Sequence, residues 1–338
     1  MQARLEHKQL EDKRLQEKIK EMPEFMRVYY YSLHSKTHAT KKTYLNNVIR
    51  FLDKYIDGGI MNAGEADLNN IKSTDISEYM QNIEYFNKGG KDKEQKEATK
   101  NSIYSSLSSF FMCMEREEII EKSPFQLGKI ERARVKENDI TYLTPEEVKA
   151  VKNAIFTGVG TSKAINRQKP YKNRDLCLFA IPVTCGLRVT ALSEINLEDI
   201  DFEGKRIHVT EKGNITKYVY VTDEVIGYIR NWITDRNELM KGHEPTDALF
   251  ISNERERMAV KSIERVVVKY CSVAVPDKHI TAHKLRSTFA TNAYQVTRDV
   301  LLVASLMGHK SPDVTRRYAK VFDENKIDAI NKTADLYK

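Results

Sequence analysis

The chain has 338 residues, 41% hydrophobic and 30% charged, with 55 Lys+Arg against 48 Asp+Glu for a net charge of +7. At roughly 150 residues per domain, that length predicts two domains, and the apolar content excludes global disorder. The strongest apolar run, Leu176 to Val183, is eight residues long, far short of the roughly 18 needed to span a bilayer. The N-terminus alternates charges and lacks the apolar stretch of a signal peptide. Cys113, Cys177, Cys185 and Cys271 lie far apart with no CxxC pair, which suits a reducing compartment and not a disulfide scaffold.

In chain order, residues 1–21 alternate Lys, Arg, Glu and Gln and read as a charged helix or mobile arm. Thr40 to Ile56 sets Tyr44, Leu45, Val48, Phe51, Leu52 and Tyr55 on one helical face, with Gly58-Gly59 as its end. Ile76, Tyr79, Met80 and Ile83 mark another helix, and Ile103, Leu107, Phe110, Phe111 and Met114 a third. The region 22–128 is therefore expected to be all-helical. Residues 129–139 are polar and aperiodic and read as a linker, with a domain boundary near 137.

The last part, 140–338, opens at Thr144-Pro145-Glu146-Glu147, with an N-cap Thr, Pro at the first helical position and Glu at the third. Asn173 to Thr184 predicts a helix that Cys185-Gly186 ends. Arg206–Val209 and Lys217–Val221 are β-rich and flank Glu211-Lys212-Gly213-Asn214, a hairpin signature. Helices resume at Val225, Ile229 and Trp232, and at Ile263, Val266, Val267 and Tyr270. Two more run from about Ala282 to Tyr294 and from Asp299 to Met307. The fold class expected is mainly α, with a small β-sheet or hairpin in the C-terminal domain.

No phosphate-binding P-loop, GxGxxG or HExxH motif occurs. His279 and His283 form an HxxxH pair, but Thr281 reads as a helix N-cap that leaves His279 outside the helix, and no nearby Cys or acid completes a zinc site. A different set is more specific. His283 and Arg286 stand at i, i+3 on one helix face; Gly308-His309 follows 23 residues after Arg286, and Tyr318 nine residues later. Upstream lie Arg188, just past a helix end, and Lys212 at the hairpin tip.

This order of residues resembles the tyrosine recombinase (phage integrase) family. The stretches HKLRSTFATNAY and LMGHKSPDVTRRYAK resemble its C-terminal signature, TCGLRVTALSEINLEDIDF its first-arginine segment and VTEKGNITKYVYV its lysine-bearing hairpin. THATKKTYLNNVIRFLDKY resembles its helical core-binding domain, with less specificity. Two positions depart from the pattern: Ala191 where an acid often follows the first arginine, and Ser287 where a second His often follows the second.

The resemblance implies an all-helical, SAM-like core-binding domain joined to a mixed α/β catalytic domain. It implies a site-specific DNA recombinase that cuts and rejoins strands through a 3′-phosphotyrosyl intermediate, for integration and excision or for chromosome-dimer resolution. A type IB topoisomerase or telomere resolvase, or an inactive DNA-binding regulator, are the alternatives. Attack on a phosphodiester builds charge on its oxygens, which two guanidiniums can each meet with a planar fork of donors; Arg188 and Arg286 take that role. Preorganised donors of this kind are often worth ~3–4 kcal/mol each. Tyr318 is the nucleophile, His283 either assists proton removal or binds the phosphate, Lys212 protonates the leaving 5′-hydroxyl, and His309 hydrogen-bonds the phosphate.

No cofactor, metal or ATP enters this scheme. The partners implied are double-stranded DNA with inverted-repeat recombination sites, three further copies of the chain in a homotetramer, and an accessory directionality factor, but no membrane. Phe322, Ile327, Ile330, Ala334 and Tyr337 recur at roughly helical spacing as an exchange helix for a neighbouring subunit. The location implied is the bacterial cytoplasm, at the nucleoid. The charge-rich stretch 1–21 before the core-binding region is expected to be too short for a separate arm-site domain, as in simple Xer-like or small integrase architectures.

Overall fold

The computed structural model describes residues 12–82, 97–126, 130–133, 140–211, 215–308, 311, 313–319, 330–331 and 333–334. The chain divides into two compact units, Met1–Glu137 and Asn138–Lys338.

The first unit is helical. Residues 12–20 form a helix, followed by α1 (Glu24–Ser32), α2 (His38–Tyr55), α3 (Glu65–Asn70), α4 (Ser73–Gln81) and α5 (Glu97–Arg116). Thr37 caps α2, its hydroxyl accepting from the Thr40 N–H at 3.3 Å. Leu45, Val48, Phe51 and Leu52 are buried against Ile103, Leu107, Phe110, Phe111 and Met114 of α5. Edge-to-face aromatic pairs at the centre, Tyr29–Phe110 at 5.2 Å and Phe51–Phe111 at 6.1 Å, add directional packing to this apolar burial. The helix stops at Tyr55, and Gly58 and Gly59 make the left-handed turn beyond it, with φ of +79° and +74°.

Two details of the unit were not visible in the sequence. Ile19 is buried and Leu15 packs beside it, so the charged N-terminal helix has an anchored face. Ile130 is also buried in this core, and the Ala133 carbonyl accepts from Asn101 Nδ2 at 2.9 Å. Residues 130–133, within the stretch read as linker, thus pack on the first unit. Ile83, the last apolar residue of the α4 pattern, lies outside the described residues.

The second unit contains α6 (Pro145–Thr157), α7 (Ser162–Gln168), α8 (Lys172–Cys185), α9 (Val189–Glu194), β1 (Ile200–Asp201), β2 (Arg206–Glu211), β3 (Ile215–Tyr220), α10 (Asp223–Met240), α11 (Val260–Ala274), α12 (Ala282–Thr297), α13 (Val300–Met307) and α14 (Asp313–Ala319). The capping box expected at α6 is formed: Thr144 Oγ1 accepts from the Glu147 N–H, and Glu147 Oε2 accepts from the Thr144 N–H.

Helix α8 is the axis of this unit. It is buried from Arg174 to Val183, and the apolar run Leu176–Val183 has no polar face to turn to solvent; it packs against α6, α10, α11 and α12. Near its start the buried Asp175 carboxylate accepts from Arg174 (3.0 and 2.9 Å), the Tyr270 hydroxyl (2.8 Å) and Lys269 (3.4 Å). The strands form an antiparallel sheet in the order β1-β2-β3. Ile207 pairs with Val219 on its buried face and His208 with Tyr218 on its open face. All four cysteines are buried and unpaired. The architecture is mainly α with a small sheet in the C-terminal unit.

Candidate active site

Three chain segments meet around Arg286. The first is the end of α8. Gly186 closes that helix in the left-handed conformation, with φ +68°. A Cβ there would stand 2.5 Å from Phe289 Cδ1 and 2.9 Å from Met307 Sδ, so both the backbone angle and the space call for glycine. The turn delivers Arg188 to the N-cap position of α9.

The second segment is α12. Thr281 occupies its N-cap position in extended backbone, so His279 lies outside the helix, and His283 and Arg286 share a face. Arg286 is 3% exposed. Its Nη1 donates to the Gly186 carbonyl and its Nη2 to the Met307 carbonyl.

The third segment is the end of α13, closed by Gly308 at φ +62°. Arg286 thereby ties the residue two before Arg188 to the residue two before His309. On α14, Tyr318 is 5% exposed and packs in a cluster with Ala290, Val303 and Met307.

The site is electropositive. Burial of its surroundings, and then the charges of Arg286, Lys284, Arg317 and Arg188, hold the His283 imidazole below its ordinary pKa of 6.5. Lys284 is likewise held down, by burial and by Arg317. Burial pushes the Cys185 thiol up to about 12, against the opposing pull of Lys217 and Arg286. A neutral imidazole amid guanidiniums is suited to accept a proton next to a bound anion.

Of the six residues singled out in the sequence, the structure brings Arg188, His283 and Arg286 into one region and sets Tyr318 on a helix packed against α12. Lys212 and His309 lie outside the described residues, although the strands flanking Lys212 pair up to Glu211↔Ile215. Sequence reasoning missed Arg317 and Lys284 as contributors to the positive field. Their signal was present as the basic neighbours of Tyr318 and His283. The Ala191 side chain is buried, and the Ser287 hydroxyl donates back to the His283 carbonyl at 3.4 Å.

A mainly helical fold with a small sheet and a basic cluster of this kind meets the expectation of an enzyme that cleaves and rejoins DNA strands. Residues 142–325, more than half of the chain, match the model of the phage integrase family, and the chain belongs to that family of tyrosine recombinases. It is 28% identical over 317 residues to tyrosine recombinase XerC of Caldanaerobacter subterraneus subsp. tengcongensis, covering 90% of this chain and 84% of that one. It is 29% identical over 353 residues to tyrosine recombinase XerS of Streptococcus thermophilus, covering 94% and 98%.

Among solved structures, the fold is similar to XerH site-specific recombinase bound to palindromic difH substrate (TM-score 0.62, 20% identity, 86% of this chain and 78% of that one). It is also similar to the Tn1549 transposon integrase in complex with a circular intermediate DNA (TM-score 0.63, 19% identity, 86% and 93%). The chain is a site-specific recombinase that cleaves and rejoins DNA, and the topoisomerase, telomere-resolvase and inactive-regulator readings are not favoured. Among the described residues, no helix is long and apolar enough to cross a membrane.

Proposed function

We propose that this recombinase exchanges strands through a covalent bond between Tyr318 and a DNA 3′-phosphate. The observation that supports the reading is Arg286, which gathers the Gly186 and Met307 carbonyls and so draws the turn before Arg188 and the end of α13 to the helix that bears His283, with Tyr318 packed beside Met307. The Tyr318 hydroxyl attacks phosphorus as its proton leaves towards His283, the bond to the 5′-oxygen breaks, and Lys212 protonates that oxygen. Arg188 and Arg286 stabilise the charge that builds on the phosphoryl oxygens, with His309 as a further donor. The reverse reaction, with a 5′-hydroxyl from the other duplex, reseals the strand. Phosphodiester energy is conserved in the tyrosyl ester, so no nucleotide is consumed.

The substrate in this reading is double-stranded DNA with inverted-repeat sites. Support comes from the similar folds of XerH bound to difH and of the Tn1549 integrase with its circular intermediate DNA. Residues 22–128 act as the core-binding half and 140–338 as the catalytic half, with 129–139 joining them. Two duplexes need four cleavages, hence a homotetramer, with the C-terminal segment around Ile330 passing to the next copy; Ile330 is 67% exposed. An accessory directionality factor, action at the nucleoid, and the choice between dimer resolution and mobile-element integration complete the proposal.

The test is a nicked suicide substrate. The wild-type chain forms a covalent protein–DNA adduct, and Tyr318→Phe forms none while binding the same DNA. An adduct that persists in Tyr318→Phe would overturn the assignment. Sequencing the attached DNA identifies the site.

A further inference from the structure

We propose that residues 140–144 form a strap that fixes the position of α12, and that Thr288 is a positioning residue for His283 and Arg286. The inference rests on the reading of those two residues as part of the phosphate site.

The chain enters the second unit through this stretch, and nearly every residue of it is attached to α12 or its flanks. Both backbone groups of Leu143 are held by side chains one helical turn apart. The N–H donates to Thr288 Oγ1 at 3.0 Å, and the carbonyl accepts from Asn292 Nδ2 at 3.3 Å. Thr288 is fully buried, and its hydroxyl also donates to the Lys284 carbonyl at 2.9 Å. The Leu143 side chain is itself fully buried, in the cluster that holds Ile280, Ala282 and Leu285. Lys278, in the loop before α12, donates to the Tyr142 carbonyl at 3.1 Å and to Glu147 Oε2 at 2.7 Å. That same carboxylate oxygen accepts from the Thr144 N–H. Ile140 packs on the cluster of Ala290, Met307 and Tyr318.

The physical point is direction. Apolar packing alone holds a helix against its neighbours but resists sliding along its axis only weakly, because burial is non-directional. A hydrogen bond to a fixed N–H or carbonyl has a narrow range of length and angle. Thr288 and Asn292 therefore set where α12 stops along its axis, and Arg286, two residues before Thr288, inherits that position. Through Arg286 the same register reaches the Gly186 and Met307 carbonyls. A misplacement of ~1 Å in a positioning group can cost up to ~100-fold in rate.

The test uses the full-length protein with Thr288→Val, which keeps the shape and removes the hydroxyl, and Thr288→Ser, which restores it. In amide hydrogen exchange, Thr288→Val is expected to speed exchange in peptides covering 185–188 and 305–308 as well as 142–144, and Thr288→Ser to match wild type. On the suicide substrate at saturating DNA, Thr288→Val lowers the single-turnover cleavage rate on the order of tenfold with DNA affinity unchanged. Faster exchange confined to 142–144, or an equal rate loss in Thr288→Ser, overturns the proposal. If Thr288→Val does not fold, Asn292→Ala carries the same comparison from the other hydrogen bond. If wild type forms no adduct, the Tyr318 reading fails, and the exchange pattern still decides the strap.

Discussion

At the scale of single residues, His283 and Arg286 share one helix face but stand in different surroundings. Their shared helix face was legible, because i, i+3 spacing after an N-cap threonine allows little else. The use of Arg286 was not: its two carbonyl partners lie 100 and 21 residues away in the chain. The structure also gives His283 a pH signature. Its depressed pKa means that between that value and 6.5 the unfolded chain binds a proton that the folded chain refuses. The contribution to stability is therefore present above 6.5 and is lost as pH falls through the folded value. Cleavage that needs a neutral imidazole keeps its acid limb below pH 6.5 for the same reason. An NMR titration of His283 is expected to show a midpoint under 6.5 that rises in Arg317→Ala; a midpoint at or above 6.5 contradicts the field described around it.

At the scale of elements, periodicity revealed the long amphipathic helices α2, α5 and α11, and the eight-residue apolar run revealed the centre of α8. The six-residue helices α3 and α9, and the two-residue strand β1, escaped notice because none completes two turns or one full alternation of pattern. The start of α8 holds a contact that periodicity does not reveal. Asp175 is fully buried and anchors α8 to α11 through Tyr270 and Lys269, 95 and 94 residues on. Asp175→Asn leaves the Arg174 guanidinium buried without its counter-charge. A loss of about 3–5 kcal/mol in urea denaturation is expected, and a loss under ~1 kcal/mol would show that the α8–α11 junction rests on apolar packing instead.

At the scale of the whole molecule, the net charge of +7 is a poor guide to a polyanionic partner, because its importance lies in where the cations stand. Arg188, Lys284, Arg286 and Arg317 act together on His283, while acids elsewhere cancel most of the basic residues in the sum. DNA affinity is therefore expected to fall steeply with salt. A protein neutralising six to ten phosphates loses about 10³–10⁵ in affinity between 50 and 200 mM salt. Fluorescence anisotropy on a site-bearing duplex measures it directly, and a nearly flat plot of log affinity against log salt would exclude binding dominated by phosphate contacts.

The burial of all four cysteines has a consequence of a different kind. Cys113 sits inside the first core and Cys177, Cys185 and Cys271 inside the second unit. A thiol reagent in solution meets none of them until a helix opens, so each sulfur times the breathing of its own neighbourhood. The same burial leaves the folded surface blank to maleimide chemistry. One cysteine introduced at Val296, 85% exposed at the end of α12, would carry a dye alone and turn the helix bearing His283 and Arg286 into an optical reporter of its own movement.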